Sequence, residues 1–329
     1  MGRRITGVER YAREVSRRLS GEARLIQPGR KLVGLAGHLW EQSVLPGALA
    51  GDRLWSPANS GPLVVARQAV TIHDVIVLEH PEWYPARFAL WYRFFLPRLA
   101  RRAEQVMTVS EVSRGRIVER LGLDAQRVTL APGGVNPDQF RPLEGRLSRE
   151  ARRQLEVPES YVLFVGGWEP RKNLERLLAA WGDVSGLFPE VELVLAGGPR
   201  VPAKCGKERP SRQVRSLGYV DESCLAELYA GAMAFVYPSL DEGFGLPVLE
   251  AMACGTPVIA ASAGAIPLVA GDAALLVDPY RVEAIAEALC LVLASSATRE
   301  NMRSRGLARA SSFSWDETAQ AVCQVLDRI

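Results

Sequence analysis

Residues 8–20 (VERYAREVSRRLS) put Val8, Tyr11, Ala12, Val15 and Leu19 on one helical stripe with arginines around the rest, predicting an amphipathic helix just after Gly7. Short apolar runs follow at 62–74 (PLVVARQAVTIHD), 104–110 (EQVMTVS) and 127–134 (RVTLAPGG). These suit buried strands, and the stretches 88–104 and 111–121 suit helices that cover them. From 161 the rhythm repeats as YVLFVGG, a helix over 173–182, VELVLAGG, a helix over 223–231, AFVYPS, a helix over 247–254, TPVIAA and AALLVDP. Alternating strands and helices predict an α/β chain with two doubly wound parallel sheets in tandem. Apolar content falls across 142–158, which sets the expected domains at 1–150 and 151–310. A final helix in 311–329 carries Ala319, Val322, Cys323 and Leu326 at helical spacing, with Ser314 and Glu317 as a capping box. It can pack on its own domain or return to the first. Tandem parallel sheets also predict an interdomain cleft, because ligands bind beyond the carboxyl ends of such strands.

Composition narrows this picture. The chain has 329 residues, 48% of them hydrophobic, which is enough for two domains of about 100–200 residues and argues against extended disorder. Net charge is only +3, yet the excess of arginine lies before residue 142 and acids prevail after it. A basic front half suits an anionic ligand or an acidic membrane surface, or is simply a solvated arginine-rich face. Nucleic acid is not expected, since no basic tract is interleaved with aromatics. The 5 cysteines all follow residue 200 without a CxxC pair, which describes no disulfide framework and predicts a reducing, cytoplasmic setting. The uncharged run 251–271 contains Gly255, Pro257, Gly264, Pro267 and Gly271, so it reads as strand and turn, not as a membrane span. His38, His73 and His80 show no metal-ligand spacing, and no metal site is expected.

Two stretches carry candidate chemistry. In 164–173 (FVGGWEPRKN) a strand runs into two glycines and then presents Arg171 and Lys172 just before a helix, where adjacent cations and free N–H groups can seat a diphosphate or merely face water. In 239–260 (SLDEGFGLPVLEAMACGTPVIA), Glu242 stands in a glycine-rich turn and Glu250 in the helix that Pro247 opens. Glycines there let backbone N–H groups approach phosphate or sugar oxygens. The two acids can form a catalytic pair, hold a ligand, or serve as ordinary loop and helix acids. Neither a Walker loop nor a G-x-G-x-x-G fingerprint is present.

Together with GGWEPRKN, the 239–260 stretch resembles the donor-binding signature of glycosyltransferase family 4, retaining nucleotide-sugar enzymes with the two-Rossmann GT-B fold. The resemblance continues through LWEQSVLPGAL (39–49), TIHDVIVLEHPEWYP (71–85), TVSEVSR (108–114), LGYVDESCLAELYAGAMAFVYPS (217–239) and ASSFSWDETA (310–319). It implies that Arg171 and Lys172 bind the donor diphosphate and Glu250 the nucleotide ribose. Glu242 is implied near the transferred sugar, and Phe244, Gly245 and Leu246 form the loop whose backbone touches sugar and phosphate. Gly7 is implied to admit diphosphate to a helix N-terminus, and His73 to act beside the donor sugar with Asp74 as its neighbour or as a strand terminator. Ser110 and Arg114 are acceptor-side candidates, with helix capping as the alternative role of Ser110. The implied reaction moves a hexose, mannose or glucose, from a GDP- or UDP-sugar to a glycan or lipid-linked glycan, without cofactor or essential metal. Peripheral association with an anionic membrane, on the inner face of the plasma membrane, is implied by similarity to enzymes of bacterial polysaccharide assembly. A nucleotide-sugar epimerase or hydrolase, and a non-catalytic sugar-nucleotide-binding module, are the alternatives. The chain departs from the family pattern at two places. It begins MGRRITG without an apolar strand, so the first sheet is expected to lack its leading strand unless the start lies upstream, and Leu268 stands where an acid is usual.

Overall fold

The computed structural model describes residues 6–19, 23–29, 32, 34–49, 51–143, 147–198 and 213–329. Two compact units emerge. An N-terminal unit comprises Thr6–Gly134 with Ser314–Ile329, and a C-terminal unit comprises Val135–Phe313. Any strand ahead of Thr6 would lie outside the described residues.

The N-terminal unit holds a parallel sheet of four strands in sequence order: β1 (Leu54–Ser56), β2 (Gln68–Thr71), β3 (Gln105–Thr108) and β4 (Val128–Leu130). Its core joins Val70, Val106 and Val128 of the sheet, and Ile72 just after β2, to Phe95, Leu96 and Leu99 of the Ala86–Arg102 helix and Ile117 of the Glu111–Leu121 helix. The predicted strand at 62–74 shrinks to β2 because the buried Gln68 side chain donates to the carbonyls of Pro62 (2.7 Å) and Val65 (2.6 Å), folding 62–67 into a turn. β1 has three residues and escapes periodicity altogether.

The predicted opening helix spans Gly7–Arg18 and buries Tyr11, Glu14 and Val15. Against it lies the last helix, Trp315–Leu326, which therefore belongs to the N-terminal unit although the chain reaches it from the C-terminal one. Trp315 meets Tyr11 edge to face at 5.6 Å, Arg18 pairs with Asp316 at 2.7 Å, and the Thr318 hydroxyl donates to Pro132 O at 2.6 Å. A Cβ on Gly134 would sit 2.4 Å from the Trp315 nitrogen, so only glycine permits this approach. Ser314 caps the helix by accepting from Asp316 N (3.1 Å); the expected partner was Glu317.

The C-terminal unit is a six-stranded parallel sheet in the order β10-β9-β8-β5-β6-β7. Its strands are β5 (Ser160–Val165), β6 (Val191–Ala196), β7 (Val214–Gly218), β8 (Ala234–Tyr237), β9 (Val258–Ala261) and β10 (Ala274–Val277). β8 and β9 are buried along their whole length, the burial expected of a sheet covered on both faces. Leu177 and Trp181 of the Leu174–Val184 helix and Ile285 and Leu289 of the Val282–Ala294 helix close one core with Val162, Phe164 and Leu193. The boundary falls at Gly134–Val135, ahead of the expected 150. Residues after 134 are tied to the second sheet: buried Phe140 packs its ring on Tyr229 at 6.2 Å, and Gln139 donates to Glu222 O at 3.3 Å.

Trp315 is 2% exposed, so Trp315→Ala is expected to destabilise the N-terminal unit by about 3–5 kcal/mol, read by denaturant unfolding. A loss under about 1 kcal/mol would show that the last helix does not complete this core.

Candidate functional site

Strand order places the site. From β5 the chain moves outward through β6 and β7, then returns to β8 on the other side and continues through β9 and β10. β5 and β8 are therefore neighbours whose connections leave in opposite directions, the switch point at which open α/β sheets bind ligands. The segment after β5 carries Arg171 and Lys172 on a one-turn 3-10 helix, Pro170–Lys172, and the loop after β8 carries Glu242. The two loops are stitched together: Leu240 N donates to Arg171 O at 2.8 Å, and Arg171 Nη1 to Asp241 O at 2.9 Å.

Both cations converge on one carboxylate. Lys172 Nζ donates to Glu242 Oε1 at 2.6 Å, and Arg171 Nη1 pairs with Glu242 Oε2. The Tyr237 hydroxyl, at the end of β8, donates to the same Oε1 at 2.8 Å and accepts from Lys172 Nζ at 2.5 Å, with the ammonium 4.8 Å from its ring centre. Burial drives the Tyr237 phenol well above its ordinary value, and Glu242 adds to the shift, so the hydroxyl keeps its proton and donates it to the carboxylate. Burial alone would raise the Glu242 pKa, but Arg171 and Lys172 overcome it and hold the acid at about 2. Burial lowers the Lys172 pKa while Glu242 opposes. A carboxylate so engaged is ionised at neutral pH and cannot act as a general acid.

Glu250 is held separately. It sits inside the Leu246–Ala253 helix, 3% exposed, with the Tyr229 hydroxyl donating to its Oε2 at 3.2 Å. Gly245, at φ 110°, starts that helix in a conformation closed to other residues, and no side chain among the described residues caps it. Pro247 has no N–H and Val248 N donates to Gly245 O at 3.0 Å, so of the first three helical residues only Leu246 can offer an N–H to a ligand. Phe244 packs edge to face on Phe313 at 5.8 Å, and Leu246 is the first helical residue. The switch point thus assembles Arg171, Lys172 and Glu242, while Phe244, Gly245, Leu246 and Glu250 follow on the same loop and helix.

Gly7 and His73 belong to the N-terminal unit. Gly7 opens its helix, but Thr6 and Glu9 close a capping box there: Thr6 Oγ1 accepts from Glu9 N (3.2 Å) and Glu9 Oε2 from Thr6 N (2.8 Å). The His73 ring is buried edge to face against Tyr11 at 4.9 Å, and Nε2 lies 2.8 Å from Pro57 O. A carbonyl only accepts, so Nε2 carries the proton and Nδ1 is the acceptor in the neutral ring. Burial lowers the His73 pKa to about 4 against the opposing Pro57 hydrogen bond. Asp74 accepts from Ile76 N at 3.0 Å and so helps form the turn after the strand. Ser110 caps its helix by accepting from Ser113 N (3.1 Å), and Arg114 donates to Val128 O (3.0 Å) and Ala125 O (3.1 Å).

Sequence reading missed three residues. Tyr237 and Tyr229 read as ordinary strand and helix aromatics, whereas their hydroxyls hold Glu242 and Glu250. Asn173, buried at φ 57°, donates to the carbonyls of Pro238 (3.0 Å) and Pro279 (2.7 Å), binding the loops after β8 and β10 to the Arg171–Lys172 turn. Its place after two cations at a helix start was the available signal. Among the described residues no three His, Cys, Asp or Glu gather as a metal site.

Comparison with known proteins gives a concordant picture. A profile described as "Glycosyl transferases group 1" matches residues 148–309, and one described as "Glycosyltransferase Family 4" matches 46–139. The O-antigen chain mannosyltransferase B of Escherichia coli is 33% identical over 79% of this chain and 70% of its own length. Two longer relatives, 26% and 30% identical, are spanned over only 34% and 52% of their length. Among solved structures, WaaG, a glycosyltransferase involved in lipopolysaccharide biosynthesis, superposes with a TM-score of 0.74 at 16% identity over 99% of this chain and 97% of its own. Anabaena Alr3699/HepE in complex with UDP-glucose gives 0.69 at 21% identity over 87% and 81%. The fold is thus the GT-B arrangement of two parallel-sheet units.

The His73 ring should show no titration by NMR between about pH 5 and 8. Because folding lowers its pKa from 6.5 to about 4, the unfolded chain binds the extra proton in that window, and the His73 contribution to stability falls as pH drops through it. A ring titrating at its ordinary value would place it in solvent and remove this assignment.

Proposed function

Because the chain belongs to the group 1 glycosyl transferases of family 4, we propose that it moves a hexose, with mannose preferred to glucose, from a GDP- or UDP-sugar to a hydroxyl of a glycan or lipid-linked glycan with retention. Arg171 and Lys172, adjoining at the switch point beside an uncapped helix start, carry this reading. A diphosphate there meets two charge-assisted donors and a helix dipole, which stabilise the leaving group as the sugar bond breaks, with no metal required. The preference for mannose rests on the 33% identical relative named as an O-antigen chain mannosyltransferase.

The other residues take roles their environments allow. Glu250 receives the ribose hydroxyls, and the Phe244–Leu246 backbone touches sugar and phosphate. Glu242, ionised, accepts from a sugar hydroxyl. His73, neutral, offers Nδ1 to the sugar, and Gly7 leaves the adjoining helix start open to phosphate once Glu9 yields. No residue is assigned as a covalent nucleophile. The acceptor hydroxyl attacks on the face the diphosphate leaves, and the departing phosphate oxygen takes its proton, so the new bond keeps the anomeric configuration.

A lipid-linked acceptor and peripheral membrane contact are supported by the Ala86–Arg102 helix, whose sequence holds five arginines and no acid. Phe88 (42%), Leu90 (69%) and Phe94 (53%) are exposed on it, beside a cavity of about 900 Å³ lined by Val77, Tyr84, Leu90 and Arg93. Exposed apolar side chains among arginines suit the headgroup layer of an anionic bilayer. Among the described residues no helix is long and apolar enough to cross a membrane.

Arg171→Ala with Lys172→Ala should weaken nucleoside-diphosphate binding by roughly 100-fold or more in calorimetry and abolish sugar transfer. A folded double variant with unchanged affinity would refute the diphosphate seat, and an inverted product from the unaltered protein would refute retention. Leu90→Ser with Phe94→Ser should lower cosedimentation with phosphatidylglycerol vesicles about tenfold, and wild-type binding should fall with added salt. A double variant that cosediments with phosphatidylglycerol vesicles as wild type does, or wild type that binds phosphatidylcholine vesicles equally well, would exclude the anionic-membrane contact.

A further inference from the structure

The two cations of the seat are already engaged. Arg171 and Lys172 meet Glu242, one on each carboxylate oxygen, and Tyr237 adds a third donor. A seat of charge +2 is thereby reduced to +1 before any ligand arrives. Nor can the loop simply swing Glu242 away. Its carbonyl accepts from Ala265 N at 2.9 Å, and a Cβ on Gly264 (φ 56°) would lie 2.6 Å from Glu242 N and 2.7 Å from its O, so the two backbones lie in contact. The preceding Asp241 and Leu240 are bonded to Arg171. Only the carboxylate can move or share its partners.

On the reading that Arg171 and Lys172 seat the donor diphosphate, we propose that Glu242 is an internal competitor for that seat. The carboxylate holds the cations when the site is empty, weakens the hold on nucleoside diphosphate, and takes the cations back as the product departs. Two reasons support this beyond proximity. Two like charges side by side, with side chains only 21% and 12% exposed, are costly without a counter-ion, so the empty site needs Glu242, and any incoming dianion must replace or share it. A seat that gripped its product at full charge would retain it after transfer, and product release limits many enzymes. Displacing the Glu242 carboxylate costs free energy for every dianion that takes the seat, so the affinity for product falls along with that for donor.

The test is binding of UDP and of GDP to wild type, Glu242→Gln, Glu242→Ala and Glu242→Asp, by calorimetry and by thermal shift. Glu242→Gln should melt lower than wild type when empty, bind the better of the two nucleotides roughly tenfold more tightly, and gain more stability from saturating nucleotide. Glu242→Asp, which keeps the charge, should not tighten binding. Glu242→Ala gives the same answer as Gln if the amide disturbs folding. Unchanged or weaker binding by the Gln and Ala variants overturns the competitor, as does failure of both to fold, which would make Glu242 purely structural. If the Arg171→Ala/Lys172→Ala variant also keeps full affinity, the diphosphate reading itself has failed. If that variant loses affinity while Glu242→Gln gains none, only the competitor is lost.

Discussion

Two adjacent, largely buried cations need a counter-ion close by, and the contacts around the β5–β8 switch point follow from that requirement. Arg171 and Lys172 stand where β5 and β8 part, and Glu242 reaches them from the neighbouring loop. An unpaired buried charge is among the most destabilising features a fold can carry. The supporting contacts follow from it. Asn173 ties two loops to the cationic turn, Tyr237 fixes the Lys172 ammonium against the carboxylate, and Ala265 N holds the Glu242 carbonyl. The cluster that makes the folded chain tolerable without ligand is also the one proposed to seat the donor diphosphate.

The N-terminal unit shows a different economy. Its four-stranded sheet is completed by a helix that returns from the far end of the chain, and Tyr11 lies where the pieces meet. The Tyr11 ring touches His73 and Trp315, and its hydroxyl donates to Ala131 O at 3.0 Å. His73 is thus held neutral and in one tautomer by packing that the last helix helps to maintain. A residue implied to act near the sugar depends on side chains more than two hundred positions away, which couples stability of this unit to the chemistry proposed for it.

Much of the fold was legible because its signals are local. The Glu111–Leu121 helix, the buried strands of the second sheet and the helix after Pro247 follow from periodicity, capping and glycine placement within a few residues. What failed depends on particular side-chain contacts that periodicity does not carry. Gln68 turns 62–67 away from the sheet through its own side chain, and Phe140 carries 135–150 into the second unit by packing on Tyr229. The same division holds for the site. Arg171, Lys172, Glu242 and Glu250 are visible as motifs, whereas Tyr237, Tyr229 and Asn173 show their roles only once strands remote in sequence stand side by side. Even the question raised by the two acids needed the fold. Separate partners hold the two: Lys172 donates to Glu242 and the Tyr229 hydroxyl to Glu250.

The most direct measurement is a crystal structure of the protein with UDP or GDP bound. The expected result has phosphate oxygens within about 3 Å of both the Arg171 guanidinium and the Lys172 ammonium, the ribose hydroxyls on Glu250, and the Glu242 carboxylate drawn off at least one cation. A nucleotide lodged elsewhere, with Arg171 and Lys172 still closed on Glu242, would contradict the central assignment.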